Sequence, residues 1–349
     1  MAVNLIPFMK AESRGLLLTL FALALFILYL AWSNPFAAFY EVEAFDFAAY
    51  LTAIVVDQLG LVLYALSWHM ILKAMDVGIS SWGTIQLTYT SLVVSWLAPL
   101  PMIGETVRAY LVRDRSGSNM GKALSSVIVH RAYYNIVFGI VIGLAGAYAL
   151  NENGLSINTA LTVILIIFAI ASSIIFALAL NTNFLRKVYT RSPEWARKKV
   201  FDRVSNPEAS ESGFKPVIDD VGEAVYSLKK RAVLSFLSIL MLAFHWIAGA
   251  IAAYLSARAI GVHLGIPTTI LSYGAVEFLQ QSNFFIPSGL GLLDAGLAGA
   301  LVLAGIPLSQ AAAISLLTRI CTYWLELVVC VPVALRFGYR EFVSKYGKG

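Results

Sequence analysis

Two apolar segments of this chain are each interrupted by a proline, then a glycine, then a carboxylate, about half a sequence apart. The interruptions are 99–105 (PLPMIGE) and 287–294 (PSGLGLLD). The residues expected to break the helices are Pro99, Pro101, Gly104, Pro287, Gly289 and Gly291. In hydrocarbon, non-helical backbone is tolerated only where it is buried in protein or lines a cavity. The two matched breaks therefore predict one shared cavity.

The composition of the chain places these breaks in a membrane. Its residues are 59% hydrophobic and only 13% charged, which leaves too little polar surface for a soluble domain of this length. Apolar stretches long enough to cross a bilayer run over 15–33, 47–73, 120–149, 156–181, 232–258 and 308–336. We expect the first stretch to be retained, because no small-residue cleavage site follows it. The sequence thus predicts an all-α integral membrane protein with six transmembrane helices.

The segments 82–115 and 267–305 differ from these spans, because each consists of two short apolar pieces joined at a break. Cytoplasmic loops carry an excess of Lys and Arg. The basic segments all fall on one side only if 82–115 enters and leaves the membrane on the cytoplasmic side, and 267–305 then enters from the other side. The sequence therefore predicts two re-entrant helical hairpins in an inverted-topology repeat, with their tips meeting near the bilayer midplane.

We expect one polytopic membrane domain over 1–349, located in the plasma membrane with both termini cytoplasmic. Repeat one spans about 82–150 and repeat two about 267–337. The polar, basic segment 182–231 between them is either an interfacial amphipathic helix or a solvated cytoplasmic linker.

Ionisable groups inside apolar segments cost roughly 2.5 to 3.5 kcal/mol each on the insertion scale, so each needs an explanation. Arg131 and Arg319 are the deepest, and each follows the carboxylate of its own repeat at nearly the same distance. One hypothesis is that Arg131 neutralises Glu105 and Arg319 neutralises Asp294. The other is that both arginines bind an anion, above all a phosphate, whose oxygens match the guanidinium fork. The two are compatible, since a carboxylate can hold an arginine until substrate arrives.

Further polar residues in the apolar segments are candidates for contact with a lipid headgroup. They are Arg108, Glu277, Gln280, Gln281 and His130. Arg108 lies one turn beyond Glu105, so a local ion pair between them is the simpler interpretation. Glu277, Gln280 and Gln281 form one stripe, which either packs helices or lines a groove. Asp57 has no explanation from the sequence beyond a proton-coupling role.

Several of these motifs together resemble a known family. They are Gly104-Glu105-x-x-Arg108, His130-Arg131, the 287–294 segment and Arg319. Over roughly 15–337 they resemble the flippase-like transmembrane domain of lysylphosphatidylglycerol synthases, and the resemblance implies movement of a charged or glycosylated lipid between leaflets. The family's usual Gly-Gly is Ser288-Gly289 here, and its usual glutamate is Asp294. About a dozen residues follow Arg336, so we do not expect the synthases' aminoacyl-transferase activity.

We therefore expect a lipid translocase, of flippase or scramblase type, for an anionic phospholipid or a polyprenyl-phosphate-linked lipid. Alternatives are a membrane-embedded lipid-modifying transferase with Glu105, Asp294 or Glu277 as general base, and an accessory membrane subunit of a glycosyltransferase. Enzyme motifs, metal-binding motifs and nucleotide-binding glycine loops are not apparent, so we expect no catalysis, cofactor or metal. The expected partners are a membrane lipid, a membrane-associated glycosyltransferase or lipid synthase, and a second copy in a homodimer, but no nucleic acid.

Overall fold

The computed structural model describes residues 6–41, 44–97, 102–153, 158–196, 215–283 and 286–346, and within these ranges the chain forms helices and no strand. The helices are α1 (Ile6–Ser33), α2 (Pro35–Glu41), α3 (Phe47–Ala74), α4 (Ser81–Leu97), α5 (Met102–Ser116), α6 (Met120–Asn153), α7 (Asn158–Ala179), α8 (Thr182–Arg191), α9 (Lys215–Lys230), α10 (Ala232–Ala259), α11 (Ile266–Ser282), α12 (Leu292–Leu303), α13 (Leu308–Arg319) and α14 (Glu326–Tyr346). Three shorter elements are the turn Glu194–Ala196, the 3₁₀ turn Pro287–Gly289 and the π-helical segment Ile320–Leu325, which joins α13 to α14.

Five helical segments in the described part of the chain are long and apolar enough to cross a membrane: α3, α6, α7, α10 and the combined segment 308–337. They match five of the six predicted spans to within a few residues. The remaining predicted span, 15–33, lies within α1, whose described apolar part is Leu20–Ser33. An all-helical, multi-pass membrane protein is thus confirmed, with five candidate spans instead of six among the described residues.

The segment predicted as a first hairpin, 82–115, consists of α4 and α5 packed against each other. Gly104 on α5 lies directly against α4, where an added Cβ would stand 2.8 Å from the carbonyl oxygen of Ser91. A glycine at 104 therefore lets the two helices approach closely. Pro99 and Pro101, which we predicted to break the helix, lie outside the described residues.

The segment predicted as a second hairpin, 267–305, consists of α11 and α12, which also pack against each other. Between them the 3₁₀ turn begins at Pro287, and Gly289 and Gly291 adopt positive φ angles of 59° and 78°. These left-handed conformations favour glycine, so the predicted break falls where the backbone leaves the helix.

The segment predicted at 182–231 contains α8 and α9, and 197–214 lies outside the described residues. The apolar face of α9, including Val217 and Val221, is buried, and α9 packs on α6. Arg186 on α8 forms a 2.5 Å ion pair with Asp219 on α9. The described part of this segment is thus a helical pair docked on the spanning helices, because its amphipathic face is covered by protein.

Candidate functional site

Arg108 is the centre of a buried polar cluster between α3, α5 and α6. The residue is 1% exposed, and its guanidinium carbon lies 3.7 Å from the centroid of the Trp68 ring. Its Nη1 lies 3.4 Å from the Tyr64 hydroxyl, 3.2 Å from His130 Nδ1 and 3.5 Å from Glu105 Oε2. Its Nε and Nη2 are buried without a hydrogen-bond partner among the described residues. Buried donors without a hydrogen-bond partner destabilise the protein, so Arg108 can still donate hydrogen bonds to a ligand that enters the cluster.

His130, next to Arg131 in the chain, is 1% exposed and makes hydrogen bonds through both ring nitrogens. Arginine is always a donor, so Nδ1 of His130 accepts from Arg108 and the ring proton resides on Nε2. Nε2 then donates to Ser67 Oγ at 2.7 Å, while that hydroxyl donates to the Tyr64 carbonyl at 2.7 Å. This histidine cannot take the serine proton in such an arrangement. The Ser67–His130 contact is therefore structural and not a nucleophile–base pair.

Arg131 lies on α6, is partly buried, and has its guanidinium carbon 5.0 Å from the centroid of the Tyr134 ring. It is within Coulombic range of Glu277 and Glu105. Among the described residues it makes no ion pair within 4.0 Å, and Glu105 pairs with Arg108 instead. The direct Arg131–Glu105 pair of the first hypothesis is therefore not formed.

The predicted polar stripe on α11 divides into two parts. Glu277 accepts hydrogen bonds from Tyr134 at 2.9 Å and from Gln281 at 2.8 Å. Gln281 also donates to Asn135 at 2.9 Å, which ties α11 to α6. Gln280 is exposed and lies outside this network. We call this network, together with Arg108, Arg131 and their neighbours, the first arginine centre.

The second arginine centre surrounds Arg319, at the end of α13. Its Nη2 donates to the carbonyl oxygen of Ser288, and its Nε lies 3.7 Å from Asp294 Oδ1. Asp294 is 1% exposed, and its Oδ2 accepts from the backbone N–H of Gly291 at 3.0 Å. The guanidinium carbon lies 4.4 Å from the centroid of the Tyr323 ring. The Arg319–Asp294 pair of the first hypothesis is therefore present, between α13 and the first turn of α12.

The second break meets the end of α4 and the π-helical segment through three residues, which we call the hairpin-tip contact: Trp96, Ser288 and Tyr323. The hydroxyl of Ser288 donates to the Trp96 carbonyl at 2.7 Å and accepts from Tyr323 at 2.8 Å. The rings of Trp96 and Tyr323 meet edge to face, with centroids 5.7 Å apart. Ser288 has a φ of 54°, a left-handed conformation that is strained for a residue with a Cβ. This contact joins the end of α4 to the second break.

Comparison with known proteins identifies the chain. A family model described as the lysylphosphatidylglycerol synthase TM region matches residues 16–330. The chain belongs to this family. A UPF0104 membrane protein of Methanothermobacter thermautotrophicus is 24% identical, covering 96% of this chain and 97% of that protein. A UPF0104 membrane protein of Pyrococcus horikoshii is 21% identical, covering 90% of this chain and 94% of that protein. These names state a membrane location and no activity. The family match over 16–330 confirms the resemblance inferred from the motifs.

Several residues around the arginines of this lysylphosphatidylglycerol synthase TM-region protein were not singled out from its sequence. They are Tyr64, Ser67, Trp68, Asn135, Ser172, Trp96 and Tyr323. A signal existed for one group, since Tyr64, Ser67 and Trp68 share one face of α3 at helical spacing. The sequence did not show that they contact Arg108 on α5, because contacts between distant helices depend on how the helices pack.

Proposed function

We propose that the protein moves a lipid with an anionic headgroup, a phospholipid or a polyprenyl-phosphate-linked lipid, between the leaflets of the cell membrane. In this proposal the two hairpins re-enter the bilayer from opposite sides, and both termini are cytoplasmic. The observation that carries it is Arg108, a 1% exposed guanidinium whose Nε and Nη2 have no partner in the described part of the chain. Phosphate oxygens match those donors in geometry and charge.

Access to this centre is provided by Glu105, whose side chain is 30% exposed while that of Arg108 is 2% exposed. A phosphate entering from that side replaces the carboxylate, and the arginines keep a counter-charge throughout the exchange. The neighbouring Ile103 is 38% exposed, so apolar surface adjoins the polar entrance. The headgroup can thus contact a polar surface while the acyl chains contact an apolar surface beside it, as translocation of a lipid requires.

Arg131 makes the first strong contact with the headgroup in this scheme, because it is partly buried and makes no ion pair within 4.0 Å among the described residues. Arg319 acts later along the path. It is held by Ser288 and Asp294 in the present conformation and becomes available when the hairpin-tip contact separates.

Reconstituted vesicles test this proposal directly. The purified protein is inserted into vesicles that contain a fluorescent anionic lipid, and transfer between leaflets is followed by quenching of the outer-leaflet label. We expect wild-type protein to accelerate transfer and Arg131→Ala to lower the rate by about tenfold or more, the loss of one charge-assisted contact. Arg131→Lys keeps the charge without the fork and should lie between the two.

Arg336→Ala is the matched control, because Arg336 is exposed and, among the described residues, makes no ion pair with either centre. It should transfer lipid at the wild-type rate. The proposal is wrong if Arg131→Ala and Arg319→Ala both leave leaflet transfer intact, or if wild-type vesicles transfer no faster than protein-free ones.

A further inference from the structure

A second polar feature lies between α3 and the last membrane helix, away from the contacts of Arg108 and Arg131. α3 packs against the π-helical segment that begins the last part of this helix, and the residues that pair or share a cluster follow the same order along both segments. The Tyr50 hydroxyl donates to the Leu317 carbonyl at 3.1 Å, and Ala53 shares a buried cluster with Cys321. Further along, Leu61 of α3 shares a buried cluster with Cys330, again on the last helix.

This register places two carboxyl groups opposite each other. Asp57 lies one turn from Ala53 and one turn from Leu61, on the same face of α3. Glu326 lies between Cys321 and Cys330 on the facing segment, directly after the π-helical turn. Asp57 and Glu326 are 5% and 9% exposed, and they are within Coulombic range of each other.

The two carboxyls have few partners. Asp57 accepts one hydrogen bond, from the side chain of Gln58 at 3.3 Å. Across the described ranges, Glu326 accepts no hydrogen bond and forms no ion pair within 4.0 Å. Arg319 is within Coulombic range of Glu326, but its donors point to Ser288 and Asp294. The titratable groups facing or adjoining the pair are Arg319, Tyr273, Tyr89, His245, Cys321 and Cys330.

We propose that Asp57 and Glu326 form a proton-binding site, and that the proton it exchanges couples lipid movement to a transmembrane proton gradient. The coupling part of this inference rests on the proposed function. Two facing carboxylates in apolar surroundings repel each other and lack solvation, and one proton bound between them removes both costs. A metal cation would need several more oxygen ligands, whereas the flanking positions are Ala53, Leu61 and the two cysteines. No cluster of three or more metal-ligating side chains occurs in the described ranges.

The connection to the hairpins runs through the π-helical segment. Glu326 follows Arg319 by the length of this segment, and such bulges allow a helix to change register at functional sites. Loss of the proton gives the pair a second negative charge, which draws the Arg319 guanidinium away from Ser288 and Asp294. The hairpin-tip contact then loosens. Proton binding reverses the change, so the protonation state selects between separated and joined tips.

The proton site is tested without any transport measurement. Infrared difference spectra of the full-length protein in vesicles, recorded between acidic and alkaline pH, report the carbonyl band of a protonated carboxyl group. We expect such a band in wild type and its loss or shift in Glu326→Gln and Asp57→Asn. Asp114→Asn changes an exposed carboxylate in the same way and should leave the band unchanged. If the carbonyl band changes with pH in wild type but neither substitution alters it, Asp57 and Glu326 are not the proton-binding site.

The coupling is tested in the same vesicles with an imposed pH difference. For one coupled proton, one pH unit biases the lipid distribution about tenfold, equal to about 1.4 kcal/mol. We expect wild type to show this bias and Glu326→Gln and Asp57→Asn to lose it, whereas Glu326→Asp, which keeps a carboxyl, retains part of it. If the lipid distribution does not depend on the pH difference, the coupling is wrong. If a sodium gradient drives transfer instead, the site does not bind a proton as the coupling ion. Wild-type protein with the carboxyl band but no lipid transfer contradicts the proposed function alone.

Discussion

The two arginine centres have matching sequence patterns but use their charges differently. In the second centre, Arg319 is held by Ser288 and by Asp294, whose side chain is 0% exposed. In the first centre, Glu105 is 30% exposed and pairs with Arg108, while Arg131 stays without an ion pair among the described residues. Among the described residues, Arg108 has two buried donors without a hydrogen-bond partner, whereas Arg319 has one, its Nε, which lies 3.7 Å from Asp294 Oδ1.

The difference traces to one position in each half. Three residues after Glu105 stands Arg108, which is on the same helix face and takes the carboxylate. Three residues after Asp294 stands Leu297, which is buried in an apolar cluster and offers no local competitor. The deep arginine of the second half therefore reaches its carboxylate, and that of the first half does not.

The largest expected difference between the two centres is in the stability lost when the carboxylate of each is neutralised. Asp294→Asn leaves a buried Arg319 without its counter-charge and should lower the free energy of unfolding by about 3 kcal/mol. Glu105→Gln also takes the counter-charge from a buried arginine, Arg108, but it should cost less, about 1 to 2 kcal/mol, because the Glu105 side chain is 30% exposed. Thermal unfolding of both variants in detergent micelles measures the difference. Equal losses would mean that the two carboxylates are equivalent.

A second prediction converts the first centre into the arrangement of the second. Arg108→Leu removes the local partner of Glu105, so Arg131 should turn to that carboxylate and the affinity for an anionic lipid should fall about tenfold or more. Adding Glu105→Gln should release Arg131 and restore part of the affinity. Equilibrium titration of purified protein with a fluorescent anionic lipid gives both values. Without recovery in the double variant, competition between the arginines is not the cause.

A third prediction concerns the strained residue of the hairpin-tip contact. Ser288→Ala loses the hydrogen bonds to Trp96 and Tyr323 and keeps the left-handed φ, so it should destabilise the protein by about 2 kcal/mol. Ser288→Gly loses the same bonds but relieves roughly 1 to 2 kcal/mol of backbone strain, and should be close to neutral. Chemical denaturation in micelles measures both changes. Similar stabilities would show that the backbone at 288 is relaxed.

The smallest expected effect is a difference in stability between two substitutions in the polar stripe of α11. Gln281→Ala removes hydrogen bonds to Glu277 and Asn135 and should cost about 1 kcal/mol of unfolding free energy. Gln280→Ala alters an exposed side chain and should change stability by less than about 0.5 kcal/mol. The same denaturation experiment serves both variants. A larger loss at position 280 would place that side chain in a contact of its own.

The sequence predicted what depends on local pattern. The spans follow from long apolar runs, the second break follows from Pro287 and Gly291, and the Arg319–Asp294 pair follows from a carboxylate and an arginine within one repeat. These patterns involve residues close in sequence or within one repeat, so they can be recognised in a single sequence.

Contacts between distant helices were not predictable in the same way. The stacking of Arg108 on Trp68, the bonds of His130 and the facing of Asp57 and Glu326 all depend on helix register, which side-chain packing decides. The competition for Glu105 illustrates the limit. Both Arg108 and Arg131 were recognised as candidates, but only their positions in space show which of them holds the carboxylate.

Gly291 has a consequence for how the protein is made. An added Cβ at this position would stand 3.0 Å from the backbone of Leu25 and Phe26, so the second break lies directly against α1. That helix precedes the second break by most of the described chain, so it is synthesised long before the surface against which it packs. The docking of α1 on this surface therefore follows the synthesis of the second break.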